Sequence, residues 1–225
     1  MYHIHHLNKS RSQRIIWLLE AVGAQYQIHV YQRDAHTNLA PPALSNIHPL
    51  GRAPLLVHDE VVIAESGAIC DYVARQHPES GFLPSADSDD FNQVQFWSHY
   101  AEGSFMPSLV TSMVLEKARA KAKPFFIRMI AGKIIDGVMS AYFGKNITQN
   151  LAFVEAELDG KNYLVGNSFT LADIQMSFGL EALYDAGKLS NHPNMCKYVE
   201  NIRQSTTHQI AMQKMAQAES KALVS

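Results

Sequence analysis

Apolar residues in the first third of the chain recur at both alternating and helical spacing, whereas the remainder shows helical spacing only. Tyr2 to Leu7 alternates loosely and is short, which predicts a strand. Asn8 to Ser12 is wholly polar and predicts a loop that becomes a helix N-terminus. Ile15, Leu18, Leu19 and Val22 then fall at i, i+3, i+4 and i+7, one buried helix face, with Gly23 placed to end it. Tyr26 to Tyr31 alternates again and suits a second strand. Arg33 to Leu44 is polar and carries Pro41-Pro42, so a loop with at most a short helix is expected. Two apolar runs, Leu55–Val57 and Val61–Ile63, flank the polar turn His58–Glu60 and predict a hairpin. A helix with Ile69, Tyr72 and Val73 on one face follows.

Phe82 to Asp90 carries Pro84 and a run of Ser, Ala and Asp, which marks a linker. Phe91 to Leu115 predicts one long helix kinked near Pro107, whose ring removes a backbone hydrogen bond. Lys117 to Lys123 reads as a basic, solvated spacer, and Pro124 suits the first residue of the next helix. Phe125, Met129, Ile130 and Ile134 are expected to face inward from it. Leu151 to Leu158 is a further amphipathic segment, ended by Asp159-Gly160. Thr170 and Asp173 have the spacing of a capping box, with Phe169 and Ile174 at the positions of a hydrophobic staple. The Ala-, Gln- and Ser-rich residues after Thr207 are expected to fray.

Composition narrows the classes. A chain of 225 residues can bury a large core in one or two domains. A formal net charge of -2 with 18% charged residues argues against nucleic acid as the partner. No apolar run approaches the roughly 18 residues of a membrane span, and no signal peptide is evident in Met1-Tyr-His-Ile-His-His. Cys70 and Cys196 are too few for a disulfide framework and do not form Cys-x-x-Cys, so a reducing, cytoplasmic setting is expected. His3, His5 and His6 cluster near the start, but no carboxylate or cysteine completes a ligand set, and no metal is expected.

The chemistry concentrates between Ile47 and Val73. Pro54 opens a strand, where its missing N–H is tolerated, and an X–Pro bond there can be cis. A cis Pro54 would turn the backbone of Ala53 outward to pair with an extended, peptide-like ligand. Glu65-Ser66-Gly67 stands where the second hairpin strand becomes a helix. Free N–H groups and the positive end of the helix dipole make that junction a carboxylate site. The Ser66 hydroxyl adds a donor, and Glu65 can pair with an ammonium.

Gly51-Arg52-Ala53-Pro54, followed eleven residues after the proline by Glu65-Ser66, resembles the glutathione site of the cytosolic glutathione S-transferases. The resemblance covers nearly the whole chain and extends to the Thr170–Asp173 box, which is similar to the buried cap of that family's C-terminal domain. It implies a thioredoxin-like α/β N-terminal domain (1–81), a linker (82–90) and an all-α C-terminal helical domain (91–225). It further implies Ala53 and Pro54 on the cysteinyl backbone, Glu65 and Ser66 on the γ-glutamyl group, and Arg52 or, more weakly, His48 on the glycyl carboxylate. His5 and His6 occupy the place where tyrosine-type members keep a phenol. The serine- and asparagine-type branch of bacteria and fungi is therefore the better match, with Ser10 as the thiolate's partner and Asn8 in reserve. Cys70 is read as packed core, since it is not in the loop where omega-type enzymes keep a reactive cysteine. The electrophile would lie near His99, Tyr100, Phe105 and Met106, with Arg128 within reach.

The expected activity is conjugation of glutathione, as cosubstrate, to small hydrophobic electrophiles in detoxification by a homodimer. The same scaffold also fits a glutathione-dependent peroxide or disulfide reductase, or a non-catalytic interaction protein. A thiol near pKa 8.5 is mostly protonated at neutral pH. Lowering it by two units takes about 2.7 kcal/mol, and one hydrogen bond to a charged group supplies about 1.5–3 kcal/mol.

Overall fold

The hairpin forms as the pattern requires, and the sheet is built outward from it. In the computed structural model, which describes residues 1–223, strands β1 (Tyr2–Leu7), β2 (Tyr26–Tyr31), β3 (Leu55–His58) and β4 (Val61–Ala64) form one mixed sheet. Its order is β2-β1-β3-β4, with β1 parallel to β2, β3 antiparallel to β1, and β4 antiparallel to β3. The parallel pair needs a crossover, which helix α1 (Ser12–Ala21) supplies. Ile15, Leu18 and Leu19 are fully buried on α1, and Gly23 follows with φ +68, the left-handed turn its lack of a Cβ allows. Helix α2 (Ser66–Gln76) buries Ile69, Cys70 and Val73 against α1 and the sheet. The Arg33–Leu44 stretch stays irregular until a 3₁₀ turn at Pro42–Asn46.

Everything beyond is helical. Helix α3 (Asp89–Tyr100) runs through one π-helical turn, Ala101–Phe105, into α4 (Met106–Lys121). The irregularity predicted at Pro107 thus sits in the turn just before it, where the proline has no N–H to offer. Helix α5 (Phe125–Val138) begins one residue after Pro124, which serves as its N-cap. A second π-helical turn, Met139–Phe143, leads into α6 (Gly144–Glu157), and α7 (Leu171–Asp185), α8 (Pro193–Gln204) and α9 (Thr206–Ala222) complete the chain. Among the described residues no helix is long and apolar enough to cross a membrane.

Helix α7 is the keystone, buried on nearly all sides by α1, α2, α3 and α8. The Thr170–Asp173 capping box starts it. Asp173 Oδ2 accepts the Thr170 N–H at 2.8 Å, and Oδ1 accepts the Leu164 N–H at 2.9 Å and the Tyr198 hydroxyl at 2.5 Å. The carboxyl therefore joins a loop, a cap and α8, two of which the sequence pattern did not indicate. Burial pushes its pKa up, and these hydrogen bonds push back.

Two expectations are overturned. Phe125, Met129, Ile130 and Ile134 are exposed, and Ile135 is the buried residue of α5. The helical period is correct, but its neighbours, α4 and the π-helical turn Met139–Phe143, cover only a narrow stripe of α5. The segment after Thr207 does not fray: α9 lies along α1, with His208 and Ala211 buried. Small residues let the two helices approach, and Trp17 Nε1 donates to Thr207 Oγ1 at 3.2 Å. Ser225 and Val224, part of the same expectation, lie outside the described residues.

Candidate functional site

Strand register brings the two distant motifs together. Leu55 pairs with Ala64 across the hairpin and with His5 on β1. One step outward, the same end of the sheet carries Pro54, Glu65 and His6. Ala53-Pro54, Glu65-Ser66 and the loop after β1 therefore share one edge. The Ala53–Pro54 bond is cis. Ala53's N–H and C=O take no backbone partner among the described residues. This is the open strand edge that an extended peptide can join.

Glu65 is exposed and sits at φ +71, ψ 124, a conformation that costs a side-chain-bearing residue about 1–3 kcal/mol. It holds the end of β4 at an angle that delivers Ser66 directly into the first turn of α2. Ser66 is 2% exposed, and its hydroxyl takes no hydrogen bond from the described residues. No side chain caps α2, so its first N–H groups remain unpaired within the helix. Glu65 and Gly67 open onto an interdomain cleft of about 690 Å³, whose far wall includes His99, Glu102 and Gln175. Glu102 is held by Arg11 at 3.0 Å and by the buried Arg14 at 2.7 Å.

The remaining expected residues divide. Arg52 is exposed and forms no ion pair among the described residues, whereas His48 uses Nδ1 to accept the Leu50 N–H at 3.2 Å. Gly51 sits at φ +57, a conformation that strains a side-chain-bearing residue, and an added Cβ would lie 2.5 Å from Ser45 Oγ, which would have to turn aside. Asn8 is tied to the end of β2: its Oδ1 accepts the Arg33 N–H at 3.3 Å and its C=O accepts Arg33 Nε at 3.2 Å. Ser10 lies at the start of α1, 8% exposed, with its Oγ 2.7 Å from Ser12 Oγ.

The guesses for the electrophile pocket fare less well. His99 does line the cleft. Phe105 and Met106 are buried against Gly179, where an added Cβ would lie 2.9 Å from Phe105 Cε1 and 3.0 Å from Met106 Sδ. The Tyr100 hydroxyl donates to Asn150 Oδ1 at 2.9 Å. Arg128 lies with Arg119 and Asp136 beside α5, in a different depression. Their place along the chain put these residues on helices but could not say which way each one faces.

Two contacts went unforeseen. His6 Nδ1 is 2.7 Å from Ser12 Oγ, and His6 Nε2 is 2.8 Å from Glu219 Oε1 on α9. No sequence signal links residues 213 apart. His3 and His29 meet at 3.0 Å and His5 reaches the Tyr31 hydroxyl at 3.0 Å; no cluster of three or more metal-capable residues forms among the described ones. Burial pushes the Cys70 thiol up to about 12, despite the nearby Arg14. It is packed core and no nucleophile.

A mixed four-stranded sheet with a cis-proline edge, an uncapped helix start beside it and a helical second region place the chain in the class of thioredoxin-like domains joined to an all-helical one. The glutathione S-transferase N-terminal domain matches residues 1–75, and the glutathione S-transferase C-terminal domain matches residues 145–205. Glutathione S-transferase 1 of Saccharomyces cerevisiae is 35% identical over 220 residues, 94% of this chain and 94% of that protein. Glutathione S-transferase 3 of Schizosaccharomyces pombe is 37% identical over 180 residues, 80% of this chain and 73% of that protein. A glutathione S-transferase structure from Actinobacillus pleuropneumoniae superposes with a TM-score of 0.78 at 29% identity, covering 95% of this chain and 92% of that one. The chain belongs to the glutathione S-transferase family.

Proposed function

We propose that this glutathione transferase joins the sulfur of glutathione to small hydrophobic electrophiles, with the tripeptide lying along Ala53 and its amino-acid head at Ser66. The observation that carries this reading is the shared sheet edge: cis Ala53-Pro54 and the uncapped Glu65-Ser66 helix start stand next to each other by register. Ala53 offers one N–H and one C=O to the cysteinyl backbone. Ser66 and the first amides of α2 meet the γ-glutamyl carboxylate, and Glu65 meets its ammonium. Arg52 extends toward the glycyl carboxylate, with His48 contributing less because one ring nitrogen is engaged.

Ser10 meets the sulfur in this reading. Asn8 is the weaker choice because its Oδ1 and its C=O both accept from Arg33, which fixes the residue at the end of β2 and leaves Nδ2 as its one donor. One hydroxyl hydrogen bond to a thiolate contributes about 1.5–3 kcal/mol, close to what ionisation near neutral pH demands. The nucleophile belongs to the cosubstrate, so the protein orients it and stabilises the anion. The electrophile enters the cleft beside His99 and Glu102. With Cys70 buried and its thiol pushed up, disulfide reduction through an enzyme cysteine is disfavoured.

The division at residues 82–90, a cytoplasmic setting and a homodimer complete the proposal. The exposed apolar face of α5 (Phe125, Phe126, Ile130 and Ile134) supports self-association. Light scattering at assay concentration tests the dimer. Turnover of an aryl halide, compared with a hydroperoxide and a glutathione-coupled disulfide, tests the activity: preference for the halide supports conjugation, and halide inertness with peroxide turnover would replace it.

A further inference from the structure

Ser10, Ser12, His6 and Glu219 form an unbroken line of hydrogen bonds from the edge of the site to the C-terminal helix. The links are 2.7 Å from Ser10 Oγ to Ser12 Oγ, 2.7 Å from Ser12 Oγ to His6 Nδ1, and 2.8 Å from His6 Nε2 to Glu219 Oε1. Ser12 is 0% and His6 1% exposed, so water does not interrupt the line at its centre. We propose that this line is a proton relay, carrying the thiol proton of bound glutathione through two serine hydroxyls to His6, with Glu219 fixing the tautomer that receives it.

The direction of the hydrogen bonds follows from the donors available. A carboxylate only accepts, so His6 Nε2–H donates to Glu219. Neutral His6 then has its lone pair on Nδ1, where it accepts the Ser12 O–H. Ser12 Oγ in turn accepts the Ser10 O–H. In the resting chain the Ser10 proton therefore points inward, and Ser10 Oγ also accepts the Ser12 N–H at 3.3 Å. Its remaining lone pair is left free to accept. A thiol S–H arriving there donates to Ser10, and Ser10 has no proton to offer in return.

Moving each proton one place reverses this. The S–H bond breaks and a new O–H forms on Ser10. The former Ser10 proton passes to Ser12, and the former Ser12 proton passes to His6 Nδ1. The products are a thiolate and an imidazolium paired with Glu219, with no other reactant consumed. Every hydroxyl now points outward, and Ser10 donates to the thiolate it has just created. The electron pair on sulfur then forms the bond to the electrophile. The proton on His6 returns outward along the same hydroxyls to the leaving group or to water, which resets the chain.

The surroundings of His6 suit this role. Its register partner on β2 is Val30, α1 presents Ser12, and α9 presents Glu219, the one charged group among the described residues that bears on its titration. Burial lowers the imidazole's pKa, so His6 is neutral in the resting enzyme, and Glu219 opposes that shift by favouring the imidazolium the relay would form. Ser12 does not cap its own helix; its hydroxyl is turned inward to His6. His6, Ser12 and Glu219 act through Ser10, so they are positioning residues for the reaction.

The inference takes Ser10 as the residue that meets the sulfur, and its test separates the two. The full chain is assayed with glutathione and an aryl halide across neutral and alkaline pH, beside variants Ser10→Ala, His6→Asn and Glu219→Gln. With the relay, wild-type kcat/KM is nearly flat across neutral pH because the proton stays within the protein until the bond to the electrophile has formed. His6→Asn must lose the proton to solvent, so its kcat/KM is about 10²-fold lower at neutral pH and climbs about tenfold per pH unit toward the thiol's own pKa. Its KM for glutathione stays near that of wild type. Glu219→Gln, on a surface helix, shows the same tilt to a smaller degree and decides the matter if His6→Asn does not fold. Variant profiles that run parallel to wild type overturn the relay, even where overall activity falls, because a structural role moves height without moving shape. A Ser10→Ala variant with unchanged kcat/KM and unchanged profile instead overturns Ser10 as the sulfur's partner.

Discussion

Leu55 pairs with Ala64 across the β3–β4 hairpin, and the two residues just beyond that pair, Pro54 and Glu65, begin the two halves of the proposed glutathione site. A slip of one residue in this register would turn the side chains of β4 to the opposite face and carry Glu65-Ser66 away from Ala53. The site is thus a consequence of strand pairing and needs no long loop to assemble it.

Ser66 offers the cleanest separation of binding from stability. Its hydroxyl has no partner among the described residues, so Ser66→Ala removes nothing the folded chain uses. We expect the Tm to change by no more than a degree or two. Loss of a hydrogen bond to the γ-glutamyl carboxylate should weaken glutathione binding by about 1.5–3 kcal/mol. A fall in Tm with unchanged affinity would assign Ser66 to the fold instead.

Ser10 and Asn8 make opposite predictions for turnover. Ser10→Ala should lower kcat/KM by roughly 10- to 100-fold, the value of one charge-assisted hydrogen bond. Asn8→Ala should stay within a small factor, since the bonds Asn8 accepts from Arg33 hold it to the end of β2. Steady-state kinetics with one aryl halide compares both.

Asp173 carries the largest predicted stability effect. Asp173→Ala strands the Leu164 and Thr170 N–H groups and the Tyr198 hydroxyl, all buried. Each unsatisfied donor costs about 1–3 kcal/mol, so a loss of at least about 3 kcal/mol is expected. Urea unfolding reads this as a lower midpoint at constant m-value.

Acid sensitivity should centre on His5. Burial, with His29 and His3 adding to it, lowers its pKa to about 4. The unfolded chain takes up this proton near the ordinary value of about 6.5, before the folded chain does. Stability from this group is therefore intact above that value, falls as pH drops toward 4, and is fully lost below it. The loss is on the order of 2–3 kcal/mol. Equilibrium unfolding between pH 7 and pH 4 should show the decline, and His5→Phe should flatten it.

The sequence made the architecture legible because its strongest signals are local. Ile15, Leu18 and Leu19 share a helix face whatever lies opposite, and Thr170 with Asp173 marks a helix start from four residues. The Arg52–Pro54 and Glu65–Ser66 segments were readable for the same reason, as a strand start and a strand-to-helix junction. What stayed hidden depends on which surface meets which. The spacing of Phe125, Met129, Ile130 and Ile134 defines a face of α5, yet only the assembled hairpin of helices reveals that the face is left uncovered. The α9 segment looks weak by composition, but its small residues suit close packing on α1. That packing alone brings Glu219 to His6.

Titration calorimetry with glutathione on the folded, wild-type protein addresses the central claim most directly. Saturable heat at one site per chain, strongly reduced in Ser66→Ala, is the result expected. No heat at millimolar glutathione, or equal heat in Ser66→Ala, would contradict a tripeptide seated along Ala53 with its head against α2.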